Sequence, residues 1–187
     1  NTLKIGFERT MLNIIYPFLS KIGIMWITDS INPAQEHFIS NLIRQKVIVA
    51  IDGQYETFDE DAKKYMLFLP EKELHELSLL FANYLIRAKG NKVIYLGQNM
   101  PFNDLRMAYN VYEPDYLLTI ITSKDKDIPP QEYLQNLSEE FPETEILVGG
   151  SQVIGQDLAL PGNITQVQNP IKLVEFIEER QKVEVRK

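Results

Sequence analysis

From Tyr65 onward the chain alternates short apolar runs with segments of helical periodicity, a rhythm that commits it to βαβ units and a parallel sheet. Strand candidates are 65–69, 92–96, 116–122, 145–148 and 164–167. Helical patterns fall at 74–88, 102–112, 131–141, weakly and briefly at 155–158, and finally at 170–181, with Gly90 expected to end the first of them. Residues 1–58 have another grammar. Leu12, Ile15, Tyr16, Leu19 and Ile22 recur every three or four positions, as on one face of a helix that Gly23 is expected to close. Asn32 as cap, Pro33 in the first turn and Gln35 three positions after the cap open a second helix, which runs to about Ile51.

The expected architecture is therefore α/β. A helical bundle at 1–58 would act as a cap domain, 59–64 as a linker, and 65–187 as a flavodoxin-like, doubly wound, five-stranded parallel sheet of order 2-1-3-4-5. In such a sheet ligands bind at the carboxyl ends of the strands. Composition narrows the chemistry available there. The 187 residues contain no cysteine and two histidines, which excludes disulfides, thiol nucleophiles and thiolate metal sites. A net charge of −7 argues against nucleic-acid binding by these residues themselves. Apolar residues at 44% are enough for a core, and there is no 18-residue apolar run or signal-peptide pattern. A cytoplasmic protein without a membrane partner is expected. The acidic run Asp59 to Asp61 and the pair Glu139-Glu140 read as solvated surface, and no residue cluster suggests hydrolytic chemistry, so no enzyme activity is expected.

The loops after the strands carry the polar groups. Pro70 to Ser78 follows strand 1 and holds His75, with Glu73 two residues earlier and able to accept a hydrogen bond from its ring. Residues 96–101, including Gly97, read as the loop after strand 2. Thr119 lies on strand 3, and strand 4 ends in Gly149-Gly150-Ser151. A ligand needing one coordinating imidazole, one hydroxyl contact and a close approach of backbone suits this set.

Glu73-x-His75-x-x-Ser78, Thr119-x-Ile121 and Gly149-Gly150 together resemble the Asp-x-His-x-x-Gly, Ser-x-Leu and Gly-Gly pattern of cobalamin-binding domains. The resemblance implies that His75 is the lower axial cobalt ligand and Glu73 its hydrogen-bond partner. It also implies that Thr119 contacts the cofactor's nucleotide tail and that Gly149 and Gly150 line the tail's exit. Trp26, followed after nine residues by Glu36-His37, is similar to the Trp-x9-Glu-His signature of the MerR-type cobalamin regulators, the CarH and LitR photoreceptors. In that family these residues lie over the upper corrin face, so Trp26, Glu36 and His37 would guard adenosylcobalamin, with His37 able to take the upper cobalt position after photolysis. Three positions depart from the pattern: Ser78 for glycine, Thr119 for serine and Glu73 for aspartate.

The resemblance implies a light-responsive sensor module of a transcriptional regulator. It would form a dimer or tetramer and reach DNA only through a winged helix preceding Asn1. The rival expectations are a corrinoid carrier subunit of a methyltransferase or mutase, a degenerate interaction module that has lost cobalamin, and a haem sensor.

Overall fold

A computed structural model describes residues 5–28, 30–54, 61–125 and 127–184, without the side chains of Trp26, Ile27, Val183 and Glu184. The chain divides into two compact units, Asn1–Gln54 and Tyr55–Lys187. Among the described residues no helix is long and apolar enough to cross a membrane.

In the first unit, helix α1 (Phe7–Thr10) passes through a π-helical turn (Met11–Ile15) into α2 (Tyr16–Ile27), and α3 spans Pro33–Asp52. Met11 and Ile22 are buried, while Leu12, Ile15, Tyr16 and Leu19 are half-buried, so the apolar repeat does mark one inner face. Gly23 does not close this helix. A glycine stops a helix by turning left-handed, and Gly23 does not. The chain leaves the helix at Thr28 instead, whose N–H and hydroxyl both bond the Ile24 carbonyl. At α3 the expected capping box is complete: the Asn32 side chain accepts the Gln35 N–H at 2.9 Å, and the Gln35 side chain accepts the Asn32 N–H at 3.1 Å.

The second unit runs β1 (Lys64–Pro70), α4 (Leu77–Ala88), β2 (Lys92–Met100), α5 (Phe102–Tyr112), β3 (Tyr116–Ile120), α6 (Pro130–Glu140), β4 (Glu145–Gly149), β5 (Ile164–Gln166) and α7 (Pro170–Glu184). All strand pairs are parallel, in the order β2-β1-β3-β4-β5. One sheet face carries Met66, Phe68, Leu117, Ile146 and Val148 against Leu105 of α5 and Leu134 and Leu137 of α6. Tyr65 and Tyr116 stack at 4.7 Å, and Tyr116 meets Phe176 of α7 edge-on. Helix α4 packs on β1, β2, β3 and α7. Both faces of β1 are thus covered, which explains why it reads as an unbroken apolar run, buried from Tyr65 to Leu69. Gly90, at φ +76, ends α4 as expected.

Three expectations about this unit need correction. Residues 96–100 are not a loop but the end of a nine-residue strand, because β2 slips register twice against β1 and keeps pairing as far as Met100. Helix α4 starts at Leu77 rather than 74, since the Glu73 carboxylate bonds the N–H groups of Leu74 and His75 and holds that stretch out of helix. Residues 155–158 form no helix: Gly155 takes φ +74 within a run of turns opened by Val153 and Ile154 bonding the Gly150 carbonyl.

Candidate functional site

The segments that leave β1 and β3 meet at the carboxyl edge of the sheet, and one buried carboxylate joins them. Glu73 is 3% exposed. Its Oε1 accepts the N–H groups of Leu74 and His75 at 3.0 Å each, and its Oε2 accepts those of Thr122 at 2.7 Å and Ser123 at 2.6 Å. The His75 ring meets the same Oε1 through Nδ1 at 2.7 Å, and the Ser123 hydroxyl lies 3.1 Å from Oε1 and 3.0 Å from His75 Nδ1. Burial alone would raise the Glu73 pKa. The His75 ring and the N–H groups of Ser123, His75 and Thr122 outweigh that and bring it down to about 2. The result is an ionised carboxylate placed to accept from His75 Nδ1 and fix the ring, while the side chain of His75 remains 66% exposed.

Glycine is required at the adjoining turn. Gly150 has φ +97, and a Cβ there would lie 2.2 Å from the Ile121 carbonyl oxygen. Because no side chain intervenes, Ile121 can donate to the Gly149 carbonyl at 2.9 Å while Gln152 donates to the Ile121 carbonyl at 3.0 Å. The Ser151 hydroxyl completes the seam on the Thr122 carbonyl at 3.1 Å. The glycine pair therefore holds the exit of β3, and with it Thr122 and Ser123, where Glu73 meets them.

The other residues singled out from the sequence are placed as follows. Ser78 is half-buried in the first turn of α4. Thr119 is fully buried, paired in register with Phe68 and Val148 on the sheet face that carries α5 and α6, and its hydroxyl has no hydrogen-bond partner. The structure does not bring Thr119 into the Glu73–His75 network. Thr119→Val, which keeps the shape and removes an orphaned polar atom, is expected to stabilise the protein by about 1 kcal/mol. A lower urea midpoint for the variant would show that the hydroxyl is satisfied. In the first unit, Glu36 and His37 lie in the first turns of α3 with His37 Nδ1 3.2 Å from the Glu36 carboxylate, and His37 is 73% exposed. Trp26 belongs to the last turn of α2, and its side chain lies outside the described residues.

Sequence reasoning missed Ser123. The available signal was its position directly after the apolar run of strand 3, where a hydroxyl faces whatever the neighbouring strand end presents. It also missed a cavity of about 810 Å³ with Met100, Phe102, Ile121 and Tyr133 in its walls and Glu73 and Ser123 among its lining residues. Nothing local in the sequence marks that cavity, because its walls come from four separate segments.

No family model matches the chain. It is 28% identical over 141 residues to the HTH-type transcriptional repressor CarH of Myxococcus xanthus, a match covering 74% of this chain and 46% of that protein. The chain thus spans less than half the length of that relative. Among solved structures, the monomethylamine corrinoid protein of Methanosarcina barkeri superposes with a TM-score of 0.69 at 13% identity, covering 86% of this chain and 77% of the other. The methanol:cobalamin methyltransferase complex MtaBC from the same organism gives 0.52 at 12% identity, over 94% and 66% of the two chains. At those identities the likeness is one of fold. In sequence the chain is similar over three quarters of its length to a helix-turn-helix repressor, and in fold to a corrinoid protein.

Proposed function

We propose that this chain is a cobalamin-binding sensor module of a MerR-family transcriptional regulator, responding to light through adenosylcobalamin. The observation that carries the reading is the His75 ring with Nδ1 held by a buried, ionised Glu73 and by Ser123, at the ligand-binding edge of a 2-1-3-4-5 sheet. The similarity to the CarH repressor supports it.

The donor set fits such a cofactor. Among the described residues no group of three or more acidic or histidine side chains is placed to hold a metal ion. A single fixed imidazole is what a metal needs when a macrocycle supplies its equatorial ligands. Glu73, by accepting the Nδ1 proton, keeps the lone pair on Nε2 and strengthens it as a donor. In this reading His75 would be the lower ligand of the cobalt, Glu73 and Ser123 would fix its ring, and Ser78, Thr119, whose buried hydroxyl has no partner in the protein, and the Gly149-Gly150 turn would border the nucleotide tail. Trp26, Glu36 and His37 are proposed for the upper face, where His37 would be the side chain able to ligate the metal. When bound, adenosylcobalamin supplies a cobalt–carbon bond that light breaks. The protein's part is to convert the change of ligand into a change of oligomeric state, with DNA held by a winged helix elsewhere in the full-length protein.

The test is to incubate the protein with adenosylcobalamin in the dark, desalt it, and record visible spectra and light scattering before and after green light. Retained cofactor, a spectral change on illumination and an altered oligomer are expected. Protein that leaves the column colourless overturns the reading. Retained cofactor with no change of oligomer favours a corrinoid carrier, the class whose fold the chain shares. His75→Ala is expected to weaken binding by about ten- to a hundredfold and to shift the cobalt spectrum. Equal affinity and an identical spectrum would remove the lower-ligand assignment.

A further inference from the structure

The loop carrying His75 is held from a second side, by the last residues of β2. Pairing of β2 with β1 slips between Leu67 and Phe68 and again between Phe68 and Pro70, so β2 gains residues over its partner and follows the chain beyond the end of β1. Two of its residues are left-handed, Gly97 at φ +79 and Asn99 at φ +54. For a residue with a side chain that conformation is strained and persists where the surroundings enforce it. Asn99 uses it to make two contacts at once. Its side-chain oxygen accepts the Lys72 N–H at 2.8 Å, and its own N–H donates to the Glu73 carbonyl at 3.3 Å. Gln98 adds a bond from its side-chain amide to the Leu74 carbonyl. The backbones of the three residues before His75 are therefore each tied to the end of β2. Lys72 is itself left-handed, at φ +67, and its amino group pairs with Asp125 and Asp127 beyond Ser123.

We propose that Asn99 is a positioning residue for His75: by clamping Lys72 and Glu73 it presents the Glu73 carboxylate to the imidazole and sets which ring nitrogen carries the proton. The inference rests on the reading of His75 as a ligand, and its test has a readout that needs no cofactor. With only two histidines in the chain, the imidazole signals in a nitrogen–proton correlation spectrum of the apo protein are assigned by one variant, His37→Gln. The parent should show the His75 ring held with its proton at Nδ1. Asn99→Asp keeps both the acceptor and tolerance of the left-handed backbone, and should match the parent. Asn99→Gly keeps the backbone and loses the acceptor, and Asn99→Ala loses both. Each should show a mixture of tautomers, with cobalamin affinity lowered about tenfold. Unchanged ring signals in both Asn99→Gly and Asn99→Ala, with melting temperatures showing that each is folded, overturn the proposal. A parent that takes up no cobalamin overturns the functional reading, while the ring signals still decide the role of Asn99.

Discussion

Glu73→Gln should destabilise the protein by about 3 kcal/mol at pH 7, and the deficit should shrink as the solution is acidified. The carboxylate falls from an ordinary value of 4.5 to about 2 in the folded state. A group whose pKa is depressed by folding contributes stability that is fully present above its unfolded pKa and is lost as pH falls through the folded one. A shift of that size corresponds to about 3 kcal/mol. The structural cause is that four backbone N–H groups, one hydroxyl and one ring nitrogen converge on a single buried side chain. Glutamine offers one acceptor oxygen in place of two and turns an NH2 group toward donors. Urea unfolding of parent and variant should show the difference narrowing by about 2 kcal/mol between pH 7 and pH 3. A difference that is the same at both would mean that ionisation of Glu73 is not the stabilising element.

Gly150→Ala is expected to be at least as damaging. The new Cβ would lie 2.2 Å from the oxygen, 2.6 Å from the carbon and 2.7 Å from the nitrogen of Ile121, all backbone atoms with no rotamer to yield. A left-handed backbone adds strain of its own. Together these should cost about 4 kcal/mol or more, enough to unfold a marginal domain. Gly155→Ala is the control. Gly155 is also left-handed, at φ +74, but nothing lies within 4 Å of its missing Cβ, so only the conformational cost of about 1 kcal/mol remains. Comparable melting temperatures for the two variants would show that close approach to Ile121 is not what requires glycine at position 150.

Much of the fold was legible because its causes are local. The five strands start within one residue of the positions read from apolar runs, and α5 covers the span read from periodicity. The Asn32–Pro33–Gln35 cap formed as its side-chain chemistry requires. Two of the misreadings occurred where distant contacts outvote local preference. Residues 74–76 have a helical pattern, but the Glu73 carboxylate, anchored by Thr122 and Ser123, bonds the N–H groups of Leu74 and His75 and keeps that stretch open. Residues 96–101 have the glycine and asparagine of a loop, yet pairing with β1 makes most of them strand. Gly23 looks like a stop signal, but glycine permits a left-handed turn without imposing one.

The candidate site divides along the same line. Glu73 and His75 stand two residues apart, so a bond between them could be anticipated from the sequence, and it forms at 2.7 Å. Ser123 is forty-eight positions from His75 and could not be paired with it by spacing. Thr119 was read as a contact for the nucleotide tail, not for His75. Register pairs it with Phe68 and Val148 in the interior, and a different hydroxyl, four residues later, reaches the histidine. The sequence by itself determined the α/β class, the places of the strands and the residue types able to ligate a metal, because periodicity and composition act within a few residues. Only the tertiary structure decided which hydroxyl serves His75 and why position 150 must be glycine. It also decided that the end of β2 braces the histidine loop. Each of these depends on backbone atoms far apart in the chain arriving within a few ångströms of one another, which sheet register and turn geometry set and local spacing does not encode.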